Sequence, residues 1–185
     1  MILLELFAGF LFIGCFSFGG AYGAIPLIRE VVLNFGVAGA LDADLKVDDL
    51  FVVEKVCHYD FDVTAFEAVK KGQYEEYPDE FIPLDPGLVR LVAETVPGIR
   101  KVAAASGDKF VEDRAEKLRL RGMGCGICEM EIAAIARTCE RSGVKCLSIK
   151  CISDTFDGDG GDFNTNVERS AKKAFAAMRE IIRAL

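Results

Sequence analysis

Residues 144–154 read VKCLSIKCISD and contain the strongest strand pattern of the chain. Apolar side chains dominate it up to Ile152, and a run of this kind is typical of a strand buried inside a sheet. We therefore predict a central strand over residues 144–152. Ser153 and Asp154 follow directly at its carboxyl end, which is the edge where ligands bind in open α/β sheets.

The rest of the chain alternates short apolar runs with helical patterns, which is typical of an α/β fold with a mixed sheet flanked by helices. Further strands are predicted over residues 31–35, 50–56, 102–106 and 126–128. Helices are predicted over residues 86–96, 113–121, 131–142 and 165–185. Between these elements, residues 67–86 are predicted to form a polar loop and residues 36–39 a turn.

The composition excludes several classes of protein. With 185 residues, the chain is long enough for one domain with a real core. Its 29 acidic and 22 basic residues give a net charge of −7, which argues against nucleic acid as a partner. Seven scattered cysteines, an odd number, argue against a secreted disulfide framework. We expect reduced thiols and a cytoplasmic location.

The charge is unevenly distributed, because residues 6–28 form a run of 23 uncharged positions. As a helix this run would be about 34 Å long, enough to cross a hydrocarbon core of about 30 Å. A signal peptide, a membrane helix and a buried core segment are the alternatives. No basic residue precedes the run, which disfavours the signal peptide. The composition favours the membrane helix and predicts membrane contact through residues 6–28.

Acidic side chains at two strand ends are candidates for chemistry. A carboxylate at Asp154 would be partly desolvated, which raises its pKa and suits it to general-acid catalysis. Alternatively, Asp154 caps the next helix or turn. Glu129 and Glu131 open a predicted helix, where one carboxylate can accept hydrogen bonds from the vicinal diol of a ribose. Alternatively, both acids complement the positive end of that helix.

Other short segments give weaker signals. In SGDKF (106–110), the glycine permits close backbone approach and Phe110 could stack on a flat ring, although a turn with a core phenylalanine fits equally well. Residues 36–39 lack the spacing of a phosphate loop. Cys125 and Cys128 form a single CxxC, and the only histidine is His58, so we predict buried thiols, no metal and no cofactor.

Residues 14–32, GCFSFGGAYGAIPLIREVV, resemble the start of chromate-transporter family proteins. That family carries a similar glycine-rich run followed by Ile-Pro-Leu and Glu-Val-Val. A complete transporter needs many more membrane spans than the residues after position 33 supply. The resemblance therefore does not predict transport by this chain alone.

Five motifs follow one another along the remainder: NFGVAGAL (34–41), YDFDVTAF (59–66), SGDKFV (106–111), CEMEIAAIA (128–136) and KCISD (150–154). In this order they resemble the signatures of 5′-methylthioadenosine/S-adenosylhomocysteine nucleosidases, which belong to the nucleoside phosphorylase superfamily. The resemblance covers residues 34–185 almost continuously. It implies a three-layer domain, a homodimer and hydrolysis of the N-glycosidic bond of a purine nucleoside, with release of adenine.

The resemblance also implies roles for the matching residues. Asp154 would protonate N7 of adenine, with Ser153 holding its carboxylate. Glu131 would bind the ribose hydroxyls, Met130 would pack under the sugar, and Phe110 would stack on the purine. The other implied substrate contacts are those of Glu129, Val111, Phe163 from the last loop, Ala38, Gly39 and Lys150. Val63 and Phe66 would reach the alkylthio pocket of a partner subunit.

Three departures from the family affect the predicted activity. The family begins with a strand whose glutamate positions the attacking water, and residues 1–33 contain no counterpart, so the family's N-terminal strands are expected to be lacking. Val37 replaces a serine near the water or phosphate, which leaves a purine nucleoside phosphorylase as a less favoured alternative. Lys150 replaces an arginine, which keeps the charge without the bidentate fork.

Together these patterns predict an apolar transporter-like segment over residues 1–33 and the later two thirds of a nucleosidase domain over residues 34–185. A chimera of two pieces is expected rather than a membrane-anchored enzyme, because lost strands leave sheet edges unpaired. The predicted activity is nucleoside hydrolysis, impaired by the missing part. The alternative is a non-catalytic fragment that binds adenine nucleosides.

Overall fold

The computed structural model describes residues 31–185. The predicted membrane helix over residues 6–28 lies outside these described residues, as does the transporter-like segment apart from residues 31–33. Within residues 31–185, no helix combines the length and the apolar character needed to cross a membrane.

Three strands come first in the described part of the chain, and helices and strands alternate after them. The strands are β1 (Val31–Ala40), β2 (Leu50–His58), β3 (Phe81–Pro83), β4 (Arg100–Ser106), β5 (Ile127–Glu129) and β6 (Lys145–Asp154). The helices are α1 (Pro86–Thr95), α2 (Arg114–Gly122), α3 (Ile132–Arg141) and α4 (Gly160–Ala184). The predicted α/β class is confirmed.

All six strands form one mixed sheet in the order β3-β2-β4-β5-β1-β6, and β2 also pairs with β6. The β1–β6, β2–β4 and β4–β5 pairs are parallel, whereas β1–β5, β2–β3 and β2–β6 are antiparallel. β6 therefore lies between β1 and β2, as expected for the predicted central strand. Every residue of β6 after Lys145 is buried.

Helices cover both faces of the sheet, which explains why β6 is apolar without alternation. Leu147, Ile149 and Cys151 point to one face and pack with α1 and α4. Cys146 and Ile152 point to the other face and pack with α3. The apolar face of α4 that the sequence pattern predicts packs on the sheet. Its buried residues are Ala174, Ala177, Met178 and Ile181.

Two predicted connections are wrong. The turn predicted over residues 36–39 is strand, because β1 stays in parallel register with β6 as far as Gly39. The loop predicted over residues 67–86 contains β3, whose three residues pair with Lys55, Val56 and Cys57 of β2. A three-residue strand is too short to leave a periodic signal in the sequence.

The start of the last helix also differs from the prediction. α4 begins at Gly160, because the Asp159 carboxylate accepts hydrogen bonds from the backbone amides of Gly161 and Asp162. Aspartate is a favourable N-cap. The helix start was not predicted there because Gly160, Gly161 and Asp162, which follow the cap, do not form an apolar helical pattern. Phe163 consequently lies in the first turn of α4 and not in the last loop.

Candidate active site

A pocket of about 350 Å³ opens where β1, β5 and β6 end, beside the start of α4. The parallel strands β1 and β6 present their carboxyl ends to it, which is the edge predicted from the sequence. The structure brings together ten of the predicted residues in its lining: Ala38, Gly39, Phe110, Val111, Glu129, Met130, Glu131, Ser153, Asp154 and Phe163.

Asp154 is the last residue of β6 and is 2% exposed. Its Oδ1 accepts a hydrogen bond of 2.8 Å from the Ser153 hydroxyl. Ser153 Oγ also lies 3.4 Å from the carbonyl oxygen of Ala38, which helps to fix the hydroxyl between the two strands. Asp154 thus lines the pocket from a rigid strand and does not cap α4, a role that Asp159 takes.

The close approach of β1 to Asp154 requires a glycine. A Cβ atom on Gly39 would lie 2.7 Å from Asp154 Oδ2 and 3.1 Å from Cys128 Sγ, both inside van der Waals contact. The register between β1 and β6 shifts at this point, where Ala38 pairs with Ile152 but Gly39 pairs with Asp154. This irregularity aims the carboxylate into the pocket, as bulges beside sites commonly do.

Charged neighbours and burial set the proton affinity of Asp154. Desolvation is the largest effect and raises the pKa of the carboxyl. The hydrogen bond from Ser153 and the charge of Lys117 act in the opposite direction, whereas the charge of Asp162 on α4 adds to the increase. The net increase in pKa suits a carboxyl group that has to hold a proton and donate it.

Glu129 and Glu131 lie close together but have different environments. The Glu129 side chain is 1% exposed, and its carboxylate accepts hydrogen bonds from the backbone amides of Glu131 and Ile132 at 3.0 to 3.2 Å. It therefore satisfies the amino end of α3, a role that the second alternative predicted for both acids and that Glu129 alone takes. Glu131 occupies the N-cap position without capping the helix through its side chain, which is 57% exposed.

Lys150 links the two glutamates from behind the pocket. Its side chain is 1% exposed, and its Nζ lies 2.7 Å from Glu129 Oε2 and 3.0 Å from Glu131 Oε2. Burial opposes the charge, but the two carboxylates outweigh it and raise the pKa of Lys150 above its ordinary value. The Glu131 carboxylate is thereby held at the pocket while one of its faces stays open to a ligand.

Aromatic and apolar side chains also line the pocket. Phe110 is 42% exposed and its ring lies 5.5 Å from that of Phe163, at an interplanar angle of 71°. Met130 is 44% exposed between the glutamates, and Val111 is buried. Large exposed apolar groups beside a pocket provide a surface on which a flat ring can pack.

Val63 and Phe66 are not brought into this pocket. They lie in the irregular segment between β2 and β3, and Phe66 is 89% exposed. His58 is also away from the pocket, where its Nδ1 lies 2.7 Å from the Tyr74 hydroxyl and its Nε2 lies 3.3 Å from Asp60. These contacts give the histidine a structural role.

The cysteines of the described chain are free and buried. Burial raises the pKa of both Cys125 and Cys128 to about 12, so neither is a reactive thiolate. Within residues 31–185, no cluster of histidine, cysteine or acidic side chains has the arrangement of a metal site.

Sequence reasoning missed two residues that shape the site. Lys117 of α2 is 1% exposed although it lies in a highly charged stretch, and its charge acts on Asp154. Its spacing of three from buried Leu120, which places both on one helix face, was the only available signal. Ser106, at the end of β4, is buried and accepts a hydrogen bond from the Ala133 amide at 3.1 Å, which docks α3 against the sheet.

A second, smaller pocket of about 250 Å³ lies at the other end of β6. Its acidic side chains are engaged elsewhere, since Asp85 accepts the Leu88 amide at the start of α1 and Glu140 pairs with Arg137. The larger pocket, with its buried acid, is therefore the candidate active site.

Comparison with known proteins agrees with this geometry. The phosphorylase superfamily matches residues 27–184. The chain belongs to the phosphorylase superfamily. Its curated relatives include a 5′-methylthioadenosine/S-adenosylhomocysteine nucleosidase of Staphylococcus saprophyticus, 33% identical over 160 residues that cover 83% of this chain and 68% of the relative. A nucleosidase of the same name from Shewanella denitrificans is 33% identical over 81% of this chain and 70% of its own length.

Solved structures of the superfamily show the same fold. The 5′-methylthioadenosine/S-adenosylhomocysteine nucleosidase of Helicobacter pylori, as a mutant with 5′-methylthioadenosine in its active site, gives a TM-score of 0.79 at 29% identity, covering 87% of this chain and 71% of that one. The futalosine hydrolase of Helicobacter pylori gives 0.78 at 31% identity, covering 84% and 69%. The resemblance to nucleosidases is confirmed, whereas the resemblance to a transporter receives no support.

Proposed function

We propose that this protein hydrolyses the N-glycosidic bond of 5′-methylthioadenosine and S-adenosylhomocysteine and releases adenine. The observation that carries the proposal is the pair of carboxyl groups on one pocket: a buried Asp154 with a raised pKa and an accessible Glu131 held by Lys150. Relatives that carry the nucleosidase name support the choice of substrate.

Asp154 acts as the general acid in this proposal. Cleavage of an N-glycosidic bond leaves electrons on the purine, and protonation of the purine nitrogen makes the base a better leaving group. The carboxyl can hold that proton because burial disfavours its charge. Ser153, through its 2.8 Å hydrogen bond, keeps the carboxyl in one orientation.

Glu131 binds the ribose hydroxyls. A carboxylate accepts two hydrogen bonds from a vicinal diol, and the negative charge also stabilises the positive charge that develops on the sugar in an oxocarbenium-like transition state. Phe110 and Phe163 pack against the purine, Val111 contacts its edge, and Met130 lies under the sugar. Glu129 and Lys150 support Glu131, and Ala38 and Gly39 line the pocket from β1.

Hydrolysis is favoured over phosphorolysis because the lysines at the site are already paired with glutamates. Phosphate binding needs free positive charge or hydroxyl donors. Lys150 is paired with two glutamates, Lys109 lies 3.1 Å from Glu116, and Val37 brings no hydroxyl to the pocket wall. A purine nucleoside phosphorylase is therefore the less supported alternative.

A non-catalytic adenine-nucleoside-binding protein is the second candidate. Three carboxylates line the pocket among the described residues, and each already has a role: Asp154 as acid, Glu131 on the sugar and Glu129 at the helix end. None of these three is left to activate the attacking water. Calorimetry that detects adenine binding in the absence of turnover would support this candidate.

We further propose that the protein is a homodimer in the cytoplasm. The exposed Phe66 ring, together with Val63, would then enter the pocket of the partner subunit and contact the alkylthio group. The buried, free cysteines suit a reducing compartment. The proposed division of the chain at residue 33, the lack of the family's N-terminal strands and membrane contact by residues 6–28 remain predictions.

The test is release of adenine from 5′-methylthioadenosine by the purified full-length protein. We expect turnover that Asp154→Asn removes. The same assay with inorganic phosphate added distinguishes a phosphorylase, because only phosphorolysis would then speed up and yield a sugar phosphate. Turnover that Asp154→Asn leaves intact would refute the assigned acid.

A further inference from the structure

Lys117 is a buried cation that the proposed reaction has not yet used. It lies in the middle of α2 with 1% exposure, and its Nζ donates to the carbonyl oxygens of Thr155, Phe156 and Gly158 at 3.1, 3.0 and 3.1 Å. An ammonium group has three hydrogens, so these bonds use its full donor capacity. All three acceptors are neutral backbone groups of one short segment.

That segment, residues 155–159, connects the strand that carries Asp154 to the helix that carries Phe163. It begins directly after Asp154 at the end of β6, and it ends at the cap of α4, whose first turn carries Phe163. Carbonyl groups in such a connection have no partners in a helix or sheet ladder, so they need another donor. The Lys117 ammonium donates to three of them, of which the Thr155 carbonyl also accepts the Gly158 amide at 3.0 Å.

Further contacts join the start of α2 to the connection between β6 and α4. The Glu112 carboxylate accepts a hydrogen bond of 2.9 Å from the Gly160 amide. Arg114 forms an ion pair with Asp157, and its guanidinium lies 4.9 Å from the ring centroid of Phe156. The Arg114 pair is exposed to solvent and contributes little, which leaves the buried Lys117 as the main attachment.

We propose that Lys117 is a positioning residue, whose ammonium group holds the backbone of residues 155–158 so that the Asp154 carboxyl and the Phe163 ring keep their places in the pocket. The inference rests on the proposed function for its catalytic meaning. It assigns the lysine no contact with the substrate, since the three carbonyls occupy it.

The lysine also contributes a positive charge near the acid. Three groups act on Asp154: Lys117 from α2, Asp162 from α4 and Ser153 from β6. The Cys128 thiol of β5 is also near, and the Asp154 charge raises the pKa of that thiol. Lys117 is the cation among them, and its charge lowers the pKa of Asp154 against the effect of burial. Loss of the lysine should therefore raise the pKa of the acid.

Lys117→Met tests both consequences, with Lys101→Met, which removes an exposed lysine from β4, as the matched control. We expect kcat for adenine release to fall by about tenfold or more, because the acid and the ring wall lose their fixed geometry. KM should change by less than about threefold. In the pH profile of kcat, the decline on the alkaline side should move to higher pH, because the pKa of the acid rises. Lys117→Arg, which keeps the positive charge but not the shape of the ammonium group, should lower kcat without moving the alkaline decline of the pH profile.

A readout without catalysis separates this inference from the proposed function. The ¹³C signal of the Asp154 carboxyl, assigned with Asp154→Asn, gives the pKa of the acid even in a protein that hydrolyses nothing. We expect a higher pKa in Lys117→Met than in the wild type, and in Lys117→Gln if the methionine variant does not fold. A folded variant with unchanged carboxyl pKa and unchanged kcat would overturn the proposal, even if its melting temperature were lower.

Discussion

Lys150 Nζ lies 2.7 Å from Glu129 Oε2, and each of the two side chains is 1% exposed. A pair this deep is costly to break, because the remaining charge stays buried without its partner. Glu131, on the surface side of the same lysine, is bound at 3.0 Å and takes its orientation from that buried pair. The sugar end of the candidate site is thus built from the core outward.

Lys150→Met should destabilise the protein strongly. Two carboxylates would lose their cation, and the free energy of unfolding should fall by about 3–5 kcal/mol. Denaturant unfolding at neutral pH measures this, with Lys101→Met as a control that should change stability by less than about 0.5 kcal/mol. Addition of Glu129→Gln to Lys150→Met should restore part of the loss, and a double variant no more stable than the single one would contradict the pairing.

Glu131→Gln and Glu129→Gln should separate binding from folding. Glu131 is more than half exposed, so its change should leave stability within about 0.5 kcal/mol. It should raise KM about tenfold or more, because hydrogen bonds between the charged carboxylate and the sugar are weakened. Glu129→Gln should change KM less and lower the free energy of unfolding more, since that carboxylate holds the end of α3. Equal effects on KM would argue against the division of roles.

Asp154→Asn should lower kcat by about a hundredfold or more, the contribution of a general acid. Asp44→Asn, an exposed aspartate before β2, is the matched control and should leave kcat unchanged. Calorimetry with 5′-methylthioadenosine should show that the Asp154 variant still binds. Loss of binding together with turnover would indicate a structural effect and not a missing proton.

The pH dependence follows from the raised pKa of Asp154. Turnover requires the protonated acid, so kcat should decline as pH rises through the folded-state pKa. Stability changes in the same window: below the unfolded-state pKa of about 3.9, Asp154 is protonated in both states and costs nothing. As pH rises above it, ionisation opposes folding, and Asp154→Asn should become progressively more stable than the wild type. Melting temperatures of both proteins between acid and neutral pH test this sign.

Gly39→Ala should impair activity more than stability. The added methyl group would sit 2.7 Å from Asp154 Oδ2, so the carboxyl would have to move out of its position. We expect at least about a tenfold loss of kcat, because misplacement of a reacting group by a fraction of an ångström is costly. Gly122→Ala is the control, since nothing lies within 4 Å of its new Cβ and alanine favours the helix. Unchanged turnover in Gly39→Ala would mean that the acid is not held there.

The sequence allowed the central strand, the alternation of strands and helices and the members of the pocket to be predicted. Ser153, Asp154 and Glu131 could be singled out because chemistry-bearing residues at strand ends stand out against apolar neighbours. Phe163 could be named as well, through the family resemblance, but its place in a helix was hidden by the glycines at 160 and 161.

What escaped prediction depends on contacts between distant segments. Lys117 lies among charged residues and is buried only because the connection after β6 folds over it. The division of labour between Glu129 and Glu131 is equally invisible in the sequence, since both flank one methionine and only the turn into α3 points one inward. β3 required pairing with β2, a non-local event that three residues cannot signal.

The double pairing of β6 has a consequence for slow motions. Because β1 and β2 both bind it and helices cover its two faces, its amides should exchange with deuterium only when the whole domain opens. Phe163 sits instead on the first turn of α4 and Glu131 at the N-cap of α3, and helix ends open by local fraying. Hydrogen exchange should accordingly separate two parts of the pocket. The backbone that carries the acid should stay protected until the whole domain opens, and the amides at the starts of α3 and α4 should exchange sooner.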